Sequence, residues 1–260
     1  MKALLTSTLA VVFCTLSMGA AAQKNWPDAI AIPTGFEGEG IELGKGHEFF
    51  VGGFSFSSVF GPLFGIPHDL SESAGAIYKG NLRTGEGAIL VLPTEKPVSG
   101  LSYDPRTDYL YAATGFLNLF TGAIDQGVIV YDASSGDVIK EIGFGENFDD
   151  NIVINDCLVT RRAVYCTDSF NPDLYKLVLG KGGRLPSNPA VEKIHMDGFV
   201  MDDTFPGVNA NGLVGNFDGK QLVIVNISTG VLYRVDTARG EASPLEIECA
   251  EQLFEHGSGL

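Results

Sequence analysis

Five segments of this 260-residue chain open in the same way. A polar residue is followed by a second polar or small residue, usually glycine, and then by an apolar residue. The openings start at Glu39, Ser99, Asn155, Asn211 and Ser258, which are separated by 60, 56, 56 and 47 residues. In each of the four complete copies, such as "SGLSYDPRTDYLYAATGF", a short turn joins two strand-like runs, which is typical of a β-hairpin. A period of this kind constrains the fold strongly, because it makes the chain an array of similar units.

A third strand-like run that carries a tyrosine follows each hairpin, as in "AIYKGNLRTGEG" and "VIVYDASSGDV", and a fourth apolar run closes the unit. Three or four antiparallel strands repeated near this period are typical of the blades of a β-propeller. The alternative is a β-sandwich whose segments resemble one another by chance. The repeats therefore predict an all-β fold, and a β-propeller is the form that we expect.

The patterns "EGI", "NDC…YCTDS" and "NGLVGNFDGKQLVIVNISTGVLYRVD" resemble the senescence marker protein, gluconolactonase and strictosidine synthase-like superfamily. The resemblance implies a β-propeller of the six-bladed type, a fold that includes calcium-dependent lactonases. At about 50 residues per blade, the 238 residues after position 22 (260 − 22) supply four blades and the start of a fifth. We therefore expect a single propeller domain over 23–260 that is incomplete at its C-terminus. An open ring would leave two apolar blade faces uncovered and would favour self-association.

The resemblance also implies a functional site. In this superfamily a divalent cation, often Ca²⁺, lies at one mouth of the central channel and is held by residues at the starts of inner strands. Glu39 and Asn211 match the metal ligands by position, and Asn155 matches an asparagine that acts beside the substrate. Ser258 stands where related sequences have an aspartate that binds the metal and activates water. Its presence weakens the expected site.

Each candidate residue also has a simpler interpretation. Glu39 could be a solvated loop acid, and Asn155 and Asn211 could be turn residues that bond their own backbone. Asp168 in "CTDS" falls opposite Asn155 if the two strands pair without interruption. In that position it could replace the missing carboxylate as a catalytic group, or it could be a structural acid that accepts backbone hydrogen bonds.

The segment "NDCLVTRRAVYC" holds two cysteines on two strand-like runs joined by a short polar turn. Pairing Val159 with Val164 puts Cys157 opposite Cys166, at a separation that a disulfide bond can bridge. A disulfide bond and a pair of buried free thiols are both compatible with this register, and an oxidising compartment favours the bond.

The first 22 residues set the expected compartment. Lys2, an apolar run over 3–16 and small residues ending at Ala22 predict a secretory signal peptide over 1–22 and a secreted protein. The apolar run is shorter than the roughly 20 residues that a membrane span requires. Thirty-two acidic residues against 17 basic residues give a net charge of −15, which disfavours nucleic acids and anionic membranes as partners.

Two connections that leave the second strands of the first two repeats are rich in phenylalanine. If the inner strands begin at the ligand end, these connections form a rim there, with candidate substrate-binding residues Phe60, Phe64, Phe116 and Phe120. Exposed apolar patches of this kind mark ligand or partner sites. The alternative is that these rings pack on one another as a closed cap.

Two functional hypotheses follow. The first is a gluconolactonase-like hydrolase with an impaired metal site, in which a divalent cation polarises the carbonyl of a lactone or an ester. The second is a non-catalytic propeller that binds an apolar small molecule or a protein partner through the phenylalanine-rich rim. The condensation chemistry of the strictosidine synthase branch is a third possibility, which no residue of this chain specifically supports.

Overall fold

The structure, a computed structural model, describes residues 26–33, 38–54, 75–94, 96–114, 126–144, 152–204 and 207–246. These residues form sixteen strands in four antiparallel sheets and one 3₁₀ turn, Lys181–Gly183. Within these ranges, no helix is long and apolar enough to cross a lipid bilayer.

Each sheet contains four strands that pair in the order in which they follow one another in the chain. Blade 1 consists of β1 (Gly38–Leu43), β2 (Glu48–Phe54), β3 (Gly75–Asn81) and β4 (Gly87–Thr94), and blade 2 of β5 (Leu101–Asp104), β6 (Tyr109–Thr114), β7 (Gly127–Asp132) and β8 (Val138–Gly143). Blade 3 consists of β9 (Ile154–Val159), β10 (Ala163–Asp168), β11 (Asp173–Val178) and β12 (Val191–His195), and blade 4 of β13 (Ala210–Gly215), β14 (Gln221–Asn226), β15 (Val231–Asp236) and β16 (Glu241–Pro244).

The first strand of each blade is the inner strand, because β1, β5, β9 and β13 contact one another in that order. We call the end of the blades where these strands begin the site end, and the opposite end the turn end. The predicted all-β propeller is confirmed, with four blades described. The expected start of a fifth blade at Ser258 and the predicted signal peptide over 1–22 lie outside the described residues.

The core lies between neighbouring blades, and β6 shows how the sequence builds it. Leu110 and Ala112 face blade 1, whereas Tyr111 and Ala113 face blade 3. All four are fully buried. Side chains alternate between the two faces of a strand, so a strand that is covered on both faces is apolar without interruption. The run "YLYAA" therefore fits an interior blade, and each large buried side chain contributes roughly 1.5–3 kcal/mol.

The expected disulfide bond is present. Val159 pairs with Val164, and Cys157 lies opposite Cys166 with their Cα atoms 4.1 Å apart. Both cysteines are buried in the core between blades 2 and 3. The bond closes a short loop in the unfolded chain, which stabilises the fold by about 2–3 kcal/mol in the chain-entropy description.

The outer faces of the first and last blades are partly uncovered. Ile41 and Leu43 are 69% and 64% exposed on the face of blade 1 that points away from blade 2, although Ile30 and Ile32 pack against other residues of that face. Val214 is exposed on the corresponding face of blade 4. Among the described strands, no contact between blades 1 and 4 is as extensive as the contacts between successive inner strands. Self-association through these faces stays a prediction.

Glycine allows the inner strands to approach one another closely. A Cβ atom at Gly100 would lie 2.5 Å from the Cα atom of Asp156 and 2.8 Å from the carbonyl oxygen of Asn155. A Cβ atom at Gly40 would likewise meet the carbonyl oxygen of Ser99. These glycines belong to the recurring openings of the sequence repeat. The repeat therefore includes glycine at these two positions because the packing of the blades leaves no room for a side chain there.

We expect Gly100→Ala to lower the free energy of unfolding by about 1–3 kcal/mol, because the added methyl group would push β5 away from β9. Gly143→Ala is the matched control, because a Cβ atom there meets no atom within 4 Å. The control should leave the stability unchanged or raise it by less than about 1 kcal/mol. Urea unfolding of the two variants measures both values, and equal effects would contradict the proposed packing.

Candidate functional site

Three of the four inner strands share an irregularity at the site end, a β-bulge in which two residues lie opposite one, and blade 2 has a related arrangement just before β5. In blades 1, 3 and 4 the strand register shifts by one residue there. In blade 2, the Ser99 amide donates a hydrogen bond to the carbonyl oxygen of Ala113, and the Ala113 amide donates one to the carbonyl oxygen of Gly100. Bulges redirect side chains and are common beside functional sites. The paired residues are Glu39–Gly40, Ser99–Gly100, Asn155–Asp156 and Asn211–Gly212.

The structure thus places Glu39, Asn155 and Asn211 at equivalent positions of three blades. Asn155 and Asn211 are only 5% and 4% exposed, and within the described chain no hydrogen bond uses either side-chain amide. Burial raises the pKa of the half-buried Glu39 carboxyl. Ser99, at the equivalent position of blade 2, donates to the carbonyl oxygens of Ala113 and Ile154. The cation-binding and substrate roles of Glu39, Asn155 and Asn211 stay predictions.

Asp156 is a candidate residue that the sequence analysis missed. It occupies the second bulge position, where the other blades have glycine. Its Oδ1 atom accepts a hydrogen bond from the Cys157 amide at 2.8 Å, and its Oδ2 atom accepts one from the Leu213 amide of blade 4 at 3.3 Å. The signal was present in the repeat, because "ND" replaces "SG" or "NG" in this one copy.

Desolvation by burial raises the pKa of Asp156 to about 7. The negative charges of Glu42 and Glu39 raise it further, whereas the Cys157 and Leu213 amides act in the opposite direction. A carboxyl group with this pKa changes its charge near neutral pH, and a strongly perturbed pKa is typical of functional groups. Three acidic residues of blades 1 and 3 therefore influence one another at the site.

Side chains of the inner strands also link successive blades. Glu42 accepts a hydrogen bond from the Tyr103 amide at 3.1 Å, and Ser102 accepts one from the Val159 amide at 2.9 Å. The bond from the Leu213 amide to Asp156 continues this series into blade 4. These contacts use backbone donors that face neighbouring blades, and they fix the inner strands relative to one another.

The bulge also corrects the expected position of Asp168. Because Asn155 and Asp156 together lie opposite Thr167, Asp168 pairs with Ile154 and not with Asn155. Asp168 is fully buried, and burial raises its pKa. Its carboxyl accepts several hydrogen bonds, as expected of a structural acid, and a catalytic role for it stays a prediction. The donors are the Val153 and Phe170 amides, the Asn171 side-chain amide and the Tyr175 hydroxyl.

The candidate residues of the phenylalanine-rich rim belong to the connections between the second and third strands of blades 1 and 2. Phe60, Phe64, Phe116 and Phe120 lie outside the described residues, as does Ser258. The described strands nevertheless fix where the two connections begin and end. Phe54 pairs with Gly75, and Thr114 pairs with Gly127, both at the site end. The strands on either side of 55–74 and 115–125 therefore end and begin at the site end, and the phenylalanine-rich rim stays a prediction.

The metal-ligating potential of the site depends on its amides. In the ranges given above, no group of three or more His, Cys, Asp or Glu side chains could hold a metal ion. Glu39, Asn155 and Asn211 would together offer one carboxylate and two amide oxygens, which are ligands that suit Ca²⁺ better than Zn²⁺. These three side chains would therefore suit a hard cation whose remaining ligands are water or substrate oxygens, and cation binding stays a prediction.

The chain is similar to β-propellers of known structure at low sequence identity. It matches a chain in the crystal structure of a nidogen/laminin complex with a TM-score of 0.54 and 14% identity, over 86% of this chain and 68% of that one. It also matches the β-propeller domain of Cps50 (Swd1) from Myceliophteria thermophila, with a TM-score of 0.50 and 14% identity over 83% of this chain and 57% of that one.

TolB from Acinetobacter baumannii is a third match, with a TM-score of 0.51 and 14% identity over 83% of this chain and 45% of that one. The chain thus spans less than two thirds of the Cps50 and TolB chains. No family model and no curated protein matches the sequence. The four blades and these likenesses identify the protein as a β-propeller, and identities this low show the fold alone.

The raised pKa of Asp156 predicts a pH dependence of stability. Because its pKa is higher in the folded protein than in the unfolded chain, the neutral carboxyl favours folding below about pH 4. This contribution is lost as the pH rises through about 7. The corresponding slope is at most about 1.4 kcal/mol per pH unit.

Asp156→Asn should therefore reduce the loss of stability between about pH 4 and pH 7. Asp203→Asn, which removes a carboxyl group from an exposed position, is the control. Urea unfolding at several pH values measures the slopes. An Asp156→Asn variant with the wild-type slope would show that this carboxyl ionises normally in the folded protein.

Proposed function

We propose that the site end binds a divalent cation, with Ca²⁺ as the best candidate, and hydrolyses an ester or a lactone. The observation that carries the proposal is the alignment of Glu39, Asn155 and Asn211 at equivalent bulges, where the side-chain amides of the two largely buried asparagines form no hydrogen bond within the described chain. The resemblance to the gluconolactonase-containing superfamily supports the same assignment. It also supports the proposal that the chain derives from a six-bladed ancestor.

Glu39 would supply the negative charge that a cation site requires, and Asn155 and Asn211 would supply neutral oxygen ligands or hydrogen bonds to the substrate. A cation bound among them would polarise the substrate carbonyl. Burial raises the pKa of Glu39, and a bound cation would act in the opposite direction by favouring the ionised carboxylate.

Asp156 is our candidate for the base. At a pKa of about 7 a substantial fraction of its carboxyl is ionised near neutral pH, where it can accept a proton from a water molecule. The water oxygen would then form a bond to the carbonyl carbon, and the bond from that carbon to the alkoxy oxygen would break. The proton would pass to the departing oxygen, so an ester gives a carboxylic acid and an alcohol, and a lactone gives one hydroxycarboxylic acid. In this way Asp156 would take over the role expected of an aspartate at the position of Ser258.

The substrate that we propose carries an apolar group. The connections containing Phe60, Phe64, Phe116 and Phe120 leave the blades at the site end. Phenylalanine side chains at the rim of a site favour an alkyl or aryl substituent over a polyhydroxylated sugar. We also propose that the protein acts outside the cell, which the predicted signal peptide and the Cys157–Cys166 bond support.

Glu39→Gln should abolish cation-dependent hydrolysis of an alkyl-substituted δ-lactone and weaken Ca²⁺ binding by at least roughly tenfold, because it removes a ligand charge. The matched control is Glu86→Gln in an exposed turn of blade 1, which should retain both properties. Hydrolysis is followed by acid release with and without a chelator, and Ca²⁺ binding by calorimetry on the same preparations.

Wild-type protein that binds no Ca²⁺ and hydrolyses neither the lactone nor a p-nitrophenyl ester would contradict the proposal. Binding of an apolar probe such as an alkyl lactone without Ca²⁺ and without turnover would instead favour the non-catalytic alternative. In that case Phe60→Ser and Phe64→Ser should weaken the binding of the probe, whereas Glu39→Gln should not.

A further inference from the structure

A basic pocket lies at the turn end of blades 2, 3 and 4, away from the site described above. Its volume is about 570 Å³. It is lined by four cationic side chains, although the whole chain has a net charge of −15 and only 17 basic residues. The lining residues are Arg106, Arg161, Arg162, Leu179, Gly180, Lys181, Gly182 and Phe217.

Arg106 builds one wall of this pocket. Its guanidinium binds the buried Asp104 carboxylate through two hydrogen bonds of 2.7 Å. It also donates to the carbonyl oxygens of Arg161 and Thr160 at 2.7 and 2.8 Å, which ties the turn of blade 2 to the turn of blade 3. The charge of Arg106 is thus offset by Asp104, and its role is to hold the neighbouring turn in place.

Backbone contacts fix the other walls. The Arg161 amide donates to the carbonyl oxygen of Phe217 at 2.6 Å, and the Leu179 amide donates to that of Arg162 at 2.7 Å. Gly183 closes the loop after β11 against Arg106. Its φ of +80° suits glycine, and a Cβ atom there would lie 2.8 Å from the Nε atom of Arg106. The pocket is therefore formed by the fold itself, before any ligand binds.

The remaining cations of the pocket are not neutralised by the described chain. The side chains of Arg161, Arg162 and Lys181 form no ion pair or hydrogen bond there. The nearby Asp218 carboxylate pairs with Lys220 at 3.7 Å. These three positive charges line the pocket without a counter-charge from the described chain, and an anion there would supply one.

We propose that this pocket binds a small organic anion that carries at least two negative charges and a flat apolar group. Planar guanidinium groups recognise the oxygens of phosphate and carboxylate groups in pairs. Phe217 is 57% exposed, and the Arg106 guanidinium lies 5.1 Å from the centre of its ring. The ring and Leu179 offer the apolar surface, and the volume is in the range of small-molecule pockets.

The test is calorimetric titration of the full chain with phenyl phosphate, isophthalate and inorganic phosphate. We expect phenyl phosphate or isophthalate to bind more tightly than inorganic phosphate, and added salt to weaken both. If phenyl phosphate binds more tightly than isophthalate, the preferred ligand class is a phosphate ester. The reverse order indicates a dicarboxylate. Phe217→Ser should remove the preference for the aromatic anion and leave the affinity for inorganic phosphate unchanged.

The double variant Arg161→Gln/Arg162→Gln should lose at least roughly tenfold in affinity for the aromatic anion, because charged hydrogen bonds contribute this much. The control is Arg83→Gln/Arg234→Gln, which removes the same charge from exposed positions in blades 1 and 4. Thermal unfolding checks that both variants are folded. An equal loss in the control, full affinity in the pocket variant, or no binding of either aromatic anion at millimolar concentration would overturn the proposal.

Discussion

The four blades depend on how closely their inner strands can approach one another at the bulges of the site end. Gly40 and Gly100 lie where a Cβ atom would collide with the backbone of the next blade. This close approach also allows Glu42, Ser102 and Asp156 to reach backbone amides of the neighbouring inner strand. The recurring glycine of the sequence repeat is thus a consequence of blade packing. The polar residue before it is not fixed by this packing and can belong to a functional site.

Asp156 is the exception that connects packing with chemistry. It places a carboxyl where the other copies have glycine, close to the acidic Glu39 and Glu42. Burial and these like charges make its ionisation costly, and two backbone amides offset only part of that cost. Ionisation of Asp156 near neutral pH therefore lowers the stability of the fold. Residues whose pKa is perturbed in this way are typical of functional sites.

Most of the fold could be predicted because it is local and periodic. The hairpins, the tyrosine-bearing third strand and the pairing of Cys157 with Cys166 all follow from residues that are close in sequence. The position of Asp168 was wrong by one residue, because alternation cannot reveal a bulge on the partner strand. The basic pocket could not be predicted, since Arg106, Arg161 and Phe217 come from three different repeats and meet only when the blades pack. The repeat already predicted equivalent positions for Glu39, Asn155 and Asn211, and their proposed roles came from the resemblance. The structure added the bulges at which they lie.

The most direct test of the proposed site is an anomalous difference map from a crystal of the protein grown with Tb³⁺ as a substitute for Ca²⁺. The proposal predicts one strong peak at the site end, within bonding distance of the Glu39 carboxylate and of the Asn155 or Asn211 side-chain oxygen. A well-ordered crystal with Tb³⁺ bound only elsewhere, or with no peak beside Glu39, would contradict it.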